Sequence, residues 1–245
     1  MNRTSITGLA CLLAVALTAC AGGGGPPAPS GSPASAPLEA LKEPANSMSV
    51  SPPLSPAPVS AEALAAYRAL LAGEPGALDR PPEGLELHQV TLPPAEELEY
   101  VLLDLDGDGG AELVVQMVAQ PHQFNAVFHY GDGELSCWQY DIMEMSCRDY
   151  PLGDGAMVRQ YDTGTGPNRY SNLYTVFRYL PDGETEECAS LAVHQDTQED
   201  GTEVFTYLVD DAEVDQDTFA AEFEELVGSR LLSLEDWTPA TERPG

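Results

Sequence analysis

Two spacings of apolar side chains divide the chain between residues 60 and 228. In AEALAAYRALLAG, Leu64, Tyr67 and Leu71 recur three to four residues apart, the period of a helix with one buried face. Ser60 supplies an N-cap and Gly73 a stop. Downstream come short runs rich in aromatic and β-branched residues: LELHQVTL, LEYVLLDL, ELVVQMVA, NAVFHY, ELSCWQY, AMVRQYD, NLYTVFRYL, CASLAVHQ and EVFTYLV. These read as strands. Asp132-Gly133, Asp154-Gly155 and Asp182-Gly183 fall where strands should reverse, and Gly131-Asp132-Gly133 predicts a hairpin. Helical spacing returns at QDTFAAEFEELV, where Asp215 is the cap, Phe219, Phe223 and Leu226 form one stripe, and Gly228 closes the helix. Leu231, Leu232, Leu234 and Trp237 add a last packed segment. The pattern predicts an α+β domain over residues 60–238, a twisted antiparallel meander with a helix from each end packed on it, followed by a disordered tail at 239–245.

The first 59 residues do not fit that domain. ITGLACLLAVALTA is apolar but short for a membrane span, and it follows a start carrying Arg3 and no acid. Residues 1–19 therefore read as a signal peptide. Leu17-Thr18-Ala19-Cys20 resembles a bacterial lipobox, and that resemblance implies cleavage before Cys20 and a lipid on its thiol. Residues 20–59 then form a linker. Ten of the chain's 21 prolines lie between residues 21 and 60, with Gly22 to Gly25 at the start. Such a segment cannot bury enough apolar surface to order itself.

The formal net charge is −30. Outside the domain Glu39, Glu43 and Glu242 are balanced by Arg3, Lys42 and Arg243, so the domain carries all of the excess. That charge disfavours nucleic acid and favours cations and basic partners. Of the cysteines beyond residue 20, Cys137 and Cys147 flank a short connection and could pair, whereas Cys188 stands apart. Their spacing, and that of His88, His122, His129 and His194, does not match a zinc site.

The densest chemistry is DLDGDGGAELVV. Asp104, Asp106, Asp108 and Glu112 take positions one, three, five and nine of a loop, with Gly109 and Gly110 at six and seven. Alternating carboxylates converge only if the backbone coils tightly, which glycine permits. Calcium accepts six to eight oxygen ligands, and the carbonyl of Gly110 could add one. Without a cation, two carboxylates about 4 Å apart repel by about 1 to 4 kcal/mol. The candidate calcium ligands are therefore Asp104, Asp106, Asp108, Gly110 and Glu112. An EF-hand needs an acid at position twelve, where this loop has Val115, and ELVVQMV suits a strand better than an exiting helix. The loop is similar to the FG-GAP type of calcium loop found in integrin-like propellers and related bacterial surface repeats. The match spans about 18 residues in one copy, so it implies the loop and not a propeller.

A looser likeness extends over most of residues 61 to 228. AYRALLAG, EYVLLDLDGDGGAELVV, strands joined by GDG turns, and YLVDDAEVDQDTFAAEF resemble exported lipoproteins of gut Firmicutes. That resemblance implies an extracytoplasmic, lipid-anchored location and this architecture. Patterns such as GxSxG, HExxH, a P-loop or GxGxxG are absent. The polar run Thr163 to Asn168 reads as a connection. The expectation is a non-catalytic, calcium-stabilised module binding a protein or glycan. The alternative is a calcium-dependent hydrolase of envelope or dietary polymers.

Overall fold

The computed structural model describes residues 57–141, 147–166, 168–242 and 244. The expected signal peptide, Cys20 and residues 21–56 of the linker lie outside them. The chain is α+β. Helix α1 spans Ala61–Leu71, and Ser60 Oγ accepts the Ala63 N–H at 3.0 Å. Its buried face carries Ala63, Tyr67 and Leu71, one position displaced from the expected stripe at Leu64. Helix α2 spans Gln216–Leu226, capped by Asp215 Oδ1 on the Thr218 N–H at 2.8 Å, and it buries Phe219 and Phe223.

Two antiparallel sheets stand between the helices. The first holds β1 (Leu98–Leu103), β2 (Glu112–Met117), β3 (Gln120–Gly131) and β4 (Glu134–Tyr140) in chain order. The second holds β5 (Cys147–Pro151), β6 (Met157–Gly166), β7 (Arg169–Tyr179), β8 (Thr185–Thr197), β9 (Glu203–Val209) and β10 (Ala212–Val214). Strand β11 (Thr238–Pro239) returns to pair with β1. The meander is thus divided into two sheets, between β4 and β5.

Alternation along each strand explains the layering. Tyr100, Leu113, Val115, Ala126 and Phe128 meet α1 on one face of the first sheet. On its other face Val101, Leu103, Val114 and Val127 meet Met157, Phe177 and Tyr179 of the second sheet. Tyr174, Val176, Leu191 and Val193 then take the α2 phenylalanines on the outer side. Burying each such phenylalanine contributes about 1.5–3 kcal/mol.

One polar network crosses between the sheets. Asp149 is enclosed, and Arg159 donates to it twice, Nε to Oδ1 and Nη2 to Oδ2, each at 2.8 Å. Gln139 Nε2 donates to Asp149 Oδ2 and, at 2.6 Å, to Asp141 Oδ2, while Tyr179 donates its hydroxyl to Gln139 Oε1 at 2.6 Å. Burial, with the charge of Asp149 beside it, pushes the Asp141 carboxyl up to about 6.

Several expectations need correction. LELHQVTL is not a strand: Leu87–Gln89 is a 3-10 turn closed by a capping box between Glu86 and Gln89, and Val90 and Leu92 pack on the α1 core. Three strands were not anticipated, β5, β10 and β11. The segment from residue 239 is not a disordered tail where it is described. Pro239 pairs with Glu99, Ala240 is buried, and the Glu242 carbonyl accepts the Tyr100 hydroxyl at 3.0 Å. Cys137 is buried, donates its thiol to the Gln139 carbonyl at 3.1 Å and makes no disulfide with Cys147. The polar run 163–168 closes the β6–β7 hairpin, with Pro167 outside the described residues.

Candidate metal centre

The acid loop joins β1 to β2 at one end of the first sheet. Leu105 is wholly buried in the core between the sheets, so the loop is pinned from its second residue. At its far end the Tyr67 hydroxyl of α1 donates to the Ala111 carbonyl at 2.8 Å. Gly107 and Gly109 adopt positive φ of 78° and 88°, which costs little only without a Cβ. From the second sheet, Gly155 lies against the Asp104 carbonyl so closely that any side chain there would collide with it.

The carboxylates organise the coil. Asp104 accepts from the N–H groups of Gly107 at 2.7 Å and Gly109 at 3.1 Å, through different oxygens. Asp106 Oδ1 accepts from Asp108 N–H at 3.1 Å, and Asp108 Oδ1 from Gly110 N–H at 2.6 Å. Oxygens of Asp104, Asp106 and Asp108 all lie within 4.8 Å of one another, so these three acids could hold a metal ion. Asp106 Oδ2 fits that role: it is shut off from solvent and has no hydrogen-bond partner. A buried carboxylate oxygen with no donor is costly, and a cation removes the cost.

Glu112 sits differently from the other acids. It is only 1% exposed, and its Oε2 accepts from Leu105 N–H at 2.7 Å, across the loop mouth. Its Oε1 is 2.9 Å from His129 Nδ1 on β3. Ligand atoms of Asp106, Glu112 and His129 form a second group within 4.8 Å. The five residues predicted as ligands are therefore brought to one loop, with Asp104, Asp106 and Asp108 in one cluster and Glu112 in the other. Gly110 shapes the loop through its N–H.

The electrostatics follow from burial and like charge. Burial, then the charge of Asp108, raises the Asp106 carboxyl above its usual range. Burial also raises Glu112, against the hydrogen bonds from His129 and Leu105. Burial would lower His129, but its bond to Glu112 and the charges of Asp106 and Asp108 outweigh that and raise it. The site disfavours further negative charge and rewards a cation.

His129 was not identified from sequence. Counting back from the Val118–Ala119 turn, where Met117 faces Gln120, places Asn125 opposite Glu112. The irregularity between Gln116 and Met117 advances the ladder by four residues, and Leu113 faces Phe128 instead. That puts His129 beside Glu112. No protein-family model, curated protein or solved structure matches the chain. No helix among the described residues is long and apolar enough to cross a membrane.

Proposed function

We propose that this chain is a lipid-anchored, extracytoplasmic lipoprotein whose α+β domain is stabilised by one Ca²⁺ in the loop of Asp104, Asp106, Asp108, Gly110 and Glu112. The observation that carries the calcium reading is the converging trio of aspartates, of which Asp106 keeps a solvent-free Oδ2 without a hydrogen-bond partner. All-oxygen donors on a flexible, glycine-hinged coil suit calcium better than magnesium, which demands tight octahedral geometry. The domain's role is to bind a protein or glycan outside the cell, without catalysis. The anchor reading rests on the run ending at Cys20 and the linker behind it.

Titrating the chelator-treated full chain with Ca²⁺ in a calorimeter tests the site. One ion per chain is expected, with binding lost in Asp104→Ala. A flat titration at millimolar calcium refutes the reading. Cys20→Ala should move the protein from the membrane fraction to the medium and abolish labelling by a fatty-acid probe. A hydrolase reading would instead need turnover of a polymer substrate, and no constellation among the described residues favours it.

A further inference from the structure

The second cluster at the loop has a different chemistry from the first, because it contains a nitrogen donor. We propose that Asp106, Glu112 and His129 form a site for a late first-row divalent ion of the Zn²⁺ class, distinct in donor set from the calcium loop that shares Asp106 and Glu112 with it. The inference does not require calcium to bind.

The three donors come from three places: the loop, the first residue of β2 and the far end of β3. Their ligand atoms lie within 4.8 Å of one another. Two of the three groups are deeply set, with side-chain exposures of 2% for Glu112 and 14% for His129. The third offers the enclosed Oδ2 of Asp106, which no protein donor reaches. One imidazole with two carboxylates matches zinc and its neighbours, whereas calcium and magnesium avoid nitrogen.

The imidazole is held in place before any ion arrives. Its ring stacks on Trp138 at 4.3 Å between centroids and 11° between planes. Its Nε2 edge lies over Gly131, where any Cβ would overlap it. Stacking on one face and a bare glycine at the edge leave Nδ1 aimed at Glu112. Ring orientation of this kind is what supporting residues supply to ligating histidines. The His129–Glu112 pair needs little movement, and Asp106, within 4.8 Å of both, has to close in on them. Zinc bonds of about 2.0–2.1 Å at a tetrahedral angle set two donors roughly 3.3 Å apart, and the present Nδ1–Oε1 distance of 2.9 Å has to widen by only about 0.4 Å. The sequence spacing alone gives no zinc pattern, because the three residues converge only through the shifted β2–β3 ladder.

The test uses the full chain, stripped of metal, with Co²⁺ as the coloured probe and Zn²⁺ as its competitor. The wild type is expected to bind one Co²⁺ with visible d–d absorption, to lose Trp138 emission as it does so, and to release the Co²⁺ when Zn²⁺ is added. His129→Gln should weaken Co²⁺ at least tenfold while its Ca²⁺ titration stays intact. Asp104→Asn should do the reverse, losing Ca²⁺ and keeping Co²⁺. Failure of the calcium reading therefore shows in one variant and failure of this one in the other. Should His129→Gln fold poorly, proton NMR of the wild-type Co²⁺ protein decides, since His129 ring signals must be strongly shifted. No Co²⁺ uptake, unshifted His129 signals, or equal affinity in a folded His129→Gln overturns the proposal.

Discussion

Replacing Asp106 with asparagine separates the cost of the acid loop from its purpose. The variant keeps the shape of the side chain and removes one charge from the centre of the cluster. At 4.8 Å, the outer limit for these oxygens, two unit charges repel by about 0.9 kcal/mol in water-like surroundings and about 3.5 kcal/mol at an effective dielectric of 20. Asp106 is only half-buried and Asp108 is exposed, so the lower end applies. Relief of the two pairs with Asp104 and Asp108 amounts to about 2 kcal/mol. A domain of this size gains about 2–4 °C in Tm per kcal/mol, so in chelator Asp106→Asn should melt about 4–8 °C above wild type. With calcium at a hundred times the wild-type Kd, wild type gains about 2.7 kcal/mol. The variant has lost a ligand; a tenfold weaker Kd would cut that gain to about 1.4 kcal/mol. Differential scanning calorimetry at low ionic strength reads both effects, and added salt should shrink the first. A variant that melts at or below wild type in chelator, with an unchanged calcium increment, refutes the reasoning.

Four further outcomes follow from the same geometry. Tyr67→Phe strands the Ala111 carbonyl in the core and should cost about 1–3 kcal/mol in denaturant titrations, with weaker calcium binding, whereas an unchanged midpoint would show that the bond is idle. Gly155→Ala should cost more than about 1 kcal/mol, because position 155 has φ of 81° and its new Cβ meets the Asp104 carbonyl; calcium affinity should fall with it. Arg159→Met leaves the enclosed Asp149 without its cation and should destabilise by about 3–5 kcal/mol, read by urea unfolding. Asp141 has its folded pKa raised from 3.8 to about 6, so it favours folding below 3.8 and loses that contribution as pH climbs to 6. Asp141→Asn should therefore be more stable than wild type at pH 7.5 and flatten stability across that window; identical pH profiles would contradict this.

What the sequence made legible is what local chemistry decides. Ser60, Asp215 and the Asp132-Gly133 turn act within a few residues of themselves, and the structure places them as helix caps and a hairpin turn. The acid loop is also local: alternation and glycine suffice to coil Asp104, Asp106 and Asp108 together. LELHQVTL misled because its alternation is carried by Leu85, Leu87, Val90 and Leu92, whereas the Glu86–Gln89 capping box closes a turn instead. The division into two sheets and the return of Pro239 to Glu99 depend on contacts far apart in sequence, which no period encodes. His129 escaped notice for a sharper reason. A strand pairing is counted from its turn, and one irregularity at Gln116/Met117 shifts every later partner.

The measurement that bears most directly on the calcium loop is an anomalous-difference map from crystals grown in millimolar calcium. A single peak bonded at about 2.3–2.6 Å to carboxylate oxygens of Asp104, Asp106 and Asp108 is the predicted result. An empty loop at that concentration, its three aspartates turned outward to water, contradicts the account.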